Sequence, residues 1–193
     1  MVTGTFGSGD AIEVTGAGSR MFFNPKKSAF RAGSVDGTQW DDAAIGNYSF
    51  ASGINTTASG GGSTATGGST TASGARSTAM GSNTTASGNH SVAMGSSTEA
   101  SAAVSIAMGY NTVASATQST AMGYNTTASA SYSTATGRNT TASGISSISM
   151  GETTTASGAN STATGTFSEA SGTRSTAMGS GTSAPSFSEM VVG

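Results

Sequence analysis

The chain has 193 residues, of which 8% are charged and 34% hydrophobic, and its net charge is −2. It holds no leucine and no cysteine, and Ile, Val and Phe number only six, eight and seven. These figures exclude an ordinary globular core, a disulfide framework, a thiolate metal site and a basic field for nucleic acid. No apolar run is long enough to cross a membrane, and two prolines with no three-residue glycine period exclude collagen. Disorder pairs low hydrophobicity with high net charge and needs no fixed register. What remains is a chain of Gly, Ala, Ser and Thr that folds by regular stacking.

Residues 1–48 are one kind of material. They carry nine of the sixteen charges, the single Trp (Trp40), and Phe6, Phe22, Phe23 and Phe30. Asn24-Pro25-Lys26-Lys27 reads as a turn, and Phe22, Phe23, Phe30 and Trp40 as a small cap core. The start, MVTGTFGSGD, is neither basic nor apolar, so no signal peptide is read there.

From Ser49 to Ser188 the chain keeps a clock of seven. Glycine recurs in steps of seven from Gly46 to Gly95 and at multiples of seven from Gly109 to Gly179, skipping to Ala102, Ala116 and Ala130. Alanine holds a register two residues earlier from Ala51 to Ala184, with Ser149 the one departure. Alternate heptads differ: Ser77–Gly81 reads S-T-A-M-G and Thr84–Gly88 reads T-T-A-S-G. The repeat is therefore fourteen, in ten copies without insertion over residues 49–188, leaving 189–193 as the end of the fragment. A coiled coil would need large apolar residues at two heptad positions and few glycines. Each five-residue block predicts a short strand, and the two residues after it a tight corner, twice per coil. The fold class is all-β, a parallel β-solenoid with 14-residue coils. Corner asparagines at 83, 111, 125 and 139 stack at one coil position, where a left-handed backbone is expected.

Strand alternation assigns the faces. Ser77, Ala79 and their equivalents point into a thin interior, while Thr78 and Met80 point out. The outward positions of the S-T-A-M-G strand form an apolar stripe: Met80, Val92, Met94, Ile106, Met108, Met122, Ile148, Met150 and Met178. Soluble monomers rarely expose such a stripe, so burial against other copies is expected. Outward positions of the other strand hold Thr57, Thr71, Thr85, Thr127, Thr141 and Thr155, with Glu99 and Glu169 in the same column, so that face meets water.

At this point the repeat resembles a known family. His90-Ser91-Val92-Ala93-Met94-Gly95-Ser96-Ser97-Thr98-Glu99-Ala100-Ser101-Ala102 follows, nearly column for column, the N-S-V-A-I-G-x-x-S-x-A-x-G-x of YadA-like heads of trimeric autotransporter adhesins. The resemblance implies a left-handed parallel β-roll assembled as a homotrimer, with the Met/Val/Ile stripe on the threefold axis. It implies an extracellular or cell-surface place, through an anchoring segment absent here. Met replaces the usual Ile, and Thr134/Thr136 and Thr162/Thr164 make polar layers in the stripe. The leader from Ala29 to Asp42 also resembles segments that precede such repeats in bacterial surface and phage-tail-fibre-like proteins.

No constellation points to an enzyme. The single His90 sits at a corner beside Asn89 with no second metal-ligand type in its pattern. Asp41-Asp42 and Asp36-Gly37 offer oxygens to a hard cation, but their spacing matches no loop motif and a turn role is favoured. There is no triad and no phosphate loop. The expected function is a structural and adhesive rod, without cofactor or metal and without nucleic-acid or membrane contact by this segment. Its partners are two further copies and an unidentified host, matrix or receptor ligand. A tail-fibre segment for receptor attachment is the alternative, and an ice-binding solenoid built on the T-x-S array the weaker one. Corners vary where strands do not, so Arg76, His90, Tyr110, Tyr124, Tyr132 and Arg138 are the candidate ligand-facing residues.

Overall fold

The computed structural model describes residues 5–8 and 15–193, so the remainder of the leader segment 1–48 lies outside the described residues. Two compact units divide the chain, Met1–Ser97 and Thr98–Gly193. Both are built from 14-residue coils.

In the first unit, strands Gly18–Asn24 and Ala29–Val35 form an antiparallel hairpin around the Asn24–Lys27 turn, with Phe23 opposite Phe30. Ala29–Val35 then pairs in parallel with Phe50–Ile54, which is followed by Thr64–Gly68, Thr78–Ser82 and Val92–Ser96, each parallel to the last. The short strands Thr57–Ala58, Thr71–Ala72 and Thr85–Ala86 form a second parallel ladder. In the second unit the long strands run from Ile106–Tyr110 to Met190–Val192 and the short ones from Glu99–Ala100 to Ser183–Ala184, again parallel and in fourteen-residue register. The parallel, all-β solenoid expected from the repeat is what folds. A single turn of 3-10 helix, Asp42–Ala44, lies in the leader.

The coil departs from expectation in one respect. Two equal strands with two-residue corners were expected; one strand has five residues and the other two. The long strand does not stop at its glycine. Gly81 adopts φ +121 and bends the strand without leaving the ladder, and a Cβ placed there would lie 1.9 Å from the Gly95 carbonyl oxygen. The strand therefore ends at Ser82, and the first corner is a single left-handed residue, Asn83, with φ 55. The second corner runs through Gly88 and Asn89 to left-handed His90, with φ 59.

The interior is as thin as the sequence implies. Within each unit the alanine column is fully buried, from Ala51 to Ala93 and from Ala100 to Ala184. Ser77, Thr84 and their equivalents fill the remaining inward positions. At the top of the first unit the alanine column is occupied by Arg31, in register with Ala51 and completely buried. Its guanidinium donates to the carbonyls of Phe30, Ser49 and Ala58 at 2.8, 3.1 and 2.9 Å and to the Ser49 hydroxyl at 2.8 Å. Burial pulls its pKa down to about 10, so it is charged at neutral pH. Buried Trp40 donates Nε1–H to Thr56 O at 2.8 Å.

The leader aromatics do not form one core. Phe22 packs edge-on against Trp40 with centroids 6.4 Å apart. Phe23 and Phe30 lie on the opposite, outward face, where Phe30 stacks on Phe50 at 5.5 Å. Strand alternation within the hairpin separates neighbours Phe22 and Phe23 in this way. Asp36 ties the leader to the first corner: its N–H donates to Asn55 Oδ1, and its carboxylate accepts from Gln39 Nε2 and Asn55 Nδ2. Those two side-chain bonds hold the Asp36 carboxyl below the usual carboxylate range, the Gln39 bond more strongly.

Candidate functional site

In the repeat the inward positions of the long strands are filled by Ala and Ser, so their large side chains face out. In the first unit Met80 lies on Met94, with Thr78 on Val92 beside them. In the second, Met108 lies on Met122, and the column continues through Thr136, Met150, Thr164 and Met178. Met150 and Met178 are each 43% exposed, while Val92, Met94 and Ile106 are half-buried by their neighbours in the column. Ile148 is also exposed. The Thr134/Thr136 and Thr162/Thr164 layers interrupt the second unit's apolar face with hydroxyls.

The same face extends into the leader, where the fourteen-residue count does not reach Phe23 and Phe30. Phe23, Phe30 and Phe50 form an aromatic column in register with Thr64, and through it with Thr78 and Val92. The hairpin enters the ladder after a connection of irregular length, so no period links Phe30 to Phe50. Phe50 itself stands two repeats before Thr78 and was visible in the sequence by that spacing.

The corner residues fall into two settings. Tyr110, Tyr124 and Arg138 are the last residues of their long strands, one position before the left-handed Asn111, Asn125 and Asn139. The Tyr110 and Tyr124 rings stack at 5.1 Å and 9°, and Arg138 is ion-paired with Glu152 one coil on. Beside them Asn111 donates to Asn125 at 2.7 Å and Asn125 to Asn139 at 2.9 Å, the ladder that stacked corner asparagines imply. Arg76, His90 and Tyr132 are themselves left-handed corner residues of the other setting. Arg76 Nη1 lies 3.3 Å from His90 Nε2.

On the opposite sheet each strand has two residues, so Thr85 is in the ladder but Ser87 is not. The T-x-S array is thus only partly a strand surface, and Glu99, Val113 and Glu169 interrupt its threonine column.

The leader carboxylates serve the fold. Asp41 Oδ1 accepts from the Gly16 N–H at 2.7 Å, and Asp42 Oδ1 accepts from Asn24 Nδ2 at 3.0 Å. Among the described residues no three His or acidic groups gather as a metal site. No helix among them is long and apolar enough to cross a membrane.

The family model for the YadA head domain repeat, two copies long, matches residues 44–70, 58–84, 72–98, 86–112, 100–126, 114–140, 142–168 and 170–185. No curated protein matches the chain. The matched spans cover the 14-residue coils of both units, and in register they agree with the observed ladders, long strand on long strand and short on short. By its repeat and by its coil, the chain belongs to the YadA head repeat family, the heads of trimeric autotransporter adhesins.

Proposed function

We propose that this chain is the structural and adhesive part of a surface adhesin, a homotrimer of left-handed β-rolls that presents its corner residues to a host, matrix or receptor ligand. The observation that carries the reading is the outward apolar face of the long strands, exposed while the interior behind it is already closed by alanine. Burying an alanine methyl is worth about 0.8 kcal/mol, whereas a Met or Ile side chain brings about 1.5–3 kcal/mol. Most of the available hydrophobic stabilisation thus comes from covering Met108, Met122, Met150 and their neighbours. Three parallel copies around the Met columns cover them without leaving an apolar face in water. The Phe23–Phe30–Phe50 column lies on the same face, so the leader joins the seam. Folding and assembly are then inseparable at low concentration.

Light scattering with thermal denaturation tests the reading. Wild type is expected to weigh three chains. Met122→Asp sets three carboxylates in an apolar seam, where desolvation and like charge oppose assembly. It should abolish the trimer and lower the melting temperature. Thr127→Asp, on the water-facing strand of the same coil, should leave both unchanged. A monodisperse wild-type monomer, or equal tolerance of the two substitutions, would remove the trimer.

A further inference from the structure

The second corner of the first unit has a gap. Successive coils place Asn47-Tyr48, Gly61-Gly62, Ala75-Arg76 and Asn89-His90 there, and only one coil has no side chain at either position. The result is a cleft of about 520 Å³ lined by Asn47, Tyr48, Gly61, Gly62, Ala75 and Arg76. That volume falls in the range of about 300–1,000 Å³ typical of small-ligand sites. Tyr48 and Arg76 are two coils apart, about 9.6 Å at the interstrand spacing, so one coil's height is open between them.

Three groups converge on this gap. Tyr48 forms one wall, its ring held by stacking on Phe6 at 4.6 Å and 19°. Arg76 forms the other wall; among the described residues it has no carboxylate partner, and its one polar side-chain neighbour is His90. The floor supplies a donor. One coil further on, the Ala75 N–H is satisfied by Asn89 Oδ1 at 3.0 Å. That bond is the exception in this corner column: the Gly61 N–H, like those of Ala103, Thr117 and Ser131, has no acceptor among the described residues, and at Gly61 no side chain covers it.

An aromatic face, an unpaired guanidinium and an open backbone N–H, spaced one coil apart, match a flat ring that carries a carboxylate. We infer that the Tyr48–Gly61–Arg76 cleft binds the acidic sugar of a glycan, the pyranose lying on Tyr48 and its carboxylate taken by Arg76 and the Gly61 N–H. Guanidinium and backbone N–H together favour a carboxylate through charge-assisted bonds, and an aromatic wall accepts the apolar face of a pyranose. Neutral sugars lack the group that Arg76 selects. The inference rests on reading the chain as an attachment surface and names the ligand chemistry for one corner of it.

The test is titration of the intact chain by ligand-observed NMR with sialyllactose, a glucuronate-terminated hyaluronan tetrasaccharide, and lactose. One or both acidic probes should bind at least tenfold more tightly than lactose, and which of them binds identifies the source of the carboxylate. Arg76→Ala should weaken that binding at least tenfold, and Gly61→Gln should block it. Gly61 is suited to this filling because a Cβ there meets nothing nearer than the Asn47 carbonyl at 4.0 Å and its φ is not left-handed. Arg174→Ala, in the same corner column but stacked over Phe187 at 5.7 Å, should have no effect. Binding of none of the probes, equal binding of lactose, or full binding by Arg76→Ala or Gly61→Gln overturns the site. Light scattering on the same samples separates this failure from that of the assembly: a trimer that ignores the acidic probes sinks the cleft alone, and a monomer that binds them sinks the trimer alone.

Discussion

The Ser149 hydroxyl donates to the Thr154 carbonyl at 2.9 Å and lies 2.8 Å from the Thr154 hydroxyl, so two buried side chains satisfy one another inside the coil. In the neighbouring coils alanine stands where Ser149 does, and the buried hydroxyls of Thr112, Thr126 and Thr140 have no partner. A buried hydroxyl without a partner costs about 1–3 kcal/mol, whereas a net hydrogen bond returns about 1 kcal/mol.

Ser149→Ala is therefore expected to lower stability by about 1 kcal/mol, although it restores the repeat. Ala135→Ser, which sets a hydroxyl five residues before Thr140, should raise stability by a similar amount. Urea denaturation of the two variants checks the pair; a stabilised Ser149→Ala variant would refute the account.

Glycines that look equivalent in the sequence should differ in what they tolerate. Gly123 has φ +126, and a Cβ there would meet the Gly137 carbonyl oxygen at 2.0 Å. Gly144 faces an equally close carbonyl at 2.0 Å but has no left-handed φ. Alanine already occupies the Gly144 column at 102, 116 and 130. There the corner relaxes: only the preceding Ser101, Ser115 and Ser129 donate to the next coil, where Gly144 and Gly158 add a second bond of 3.2 Å. The hydroxyls of Ser105, Ser119 and Ser133 in turn bond the alanine carbonyls at 2.7, 2.6 and 2.6 Å. Gly144→Ala should cost about 1 kcal/mol for that lost bond. Gly123→Ala should cost more, since backbone strain of about 1–3 kcal/mol adds to the clash. Equal melting temperatures for the two variants would contradict the division.

Two corner residues sit badly in the left-handed region. Val104 has φ 60 and is the one β-branched residue in its corner column, and Phe167 has φ 53 in a column that other coils fill with Asn, Ser, Thr or Gly. Left-handed backbone costs an L-residue about 1–2 kcal/mol, and Asn and Gly bear it best. Val104→Asn and Phe167→Asn should each raise the melting temperature, and their effects should add because the sites are far apart in the sequence and share no partner. A drop in either melting curve would show that the exposed side chain contributes contacts worth more than the strain.

The leader should act as a plug. Arg31→Ala removes the charged donor from the Ser49 and Ala58 carbonyls, which keep their bonds from the Phe30 and Gly46 N–H groups, and the lost charge-assisted bonds should cost about 1.5–3 kcal/mol. Arg31→Lys should recover part of this, because an ammonium lacks the planar fork that reaches Ser49 and Ala58 together. Deleting residues 1–47 removes the hairpin and leaves Phe50–Ile54 as an open parallel edge, so self-association should rise. Calorimetry and sedimentation check the three variants; a deletion as soluble and heat-stable as wild type would make the segment an appendage.

The sequence by itself determined the coil. A chain of fourteen-residue copies without insertion can satisfy its backbone only by stacking each copy on the last, so Ala79 lies on Ala93, Met80 on Met94 and Asn111 under Asn125. Period-two alternation then decides which side chains are inside, since in the repeat only small residues, Ala, Ser and Thr, fit between two such close strands. Residues outside the period needed the tertiary structure. Arg31 occupies an alanine position because the hairpin enters the ladder at a register that no repeat specifies, and Phe22 and Phe23 part to opposite faces for the same reason. The two classes of glycine were also hidden. A residue letter records the absence of a Cβ, whereas φ and the approach of the next coil's carbonyl depend on where the long strand bends. The Tyr48–Arg76 cleft likewise exists only because stacking places a gap of one coil between residues 28 positions apart in the chain.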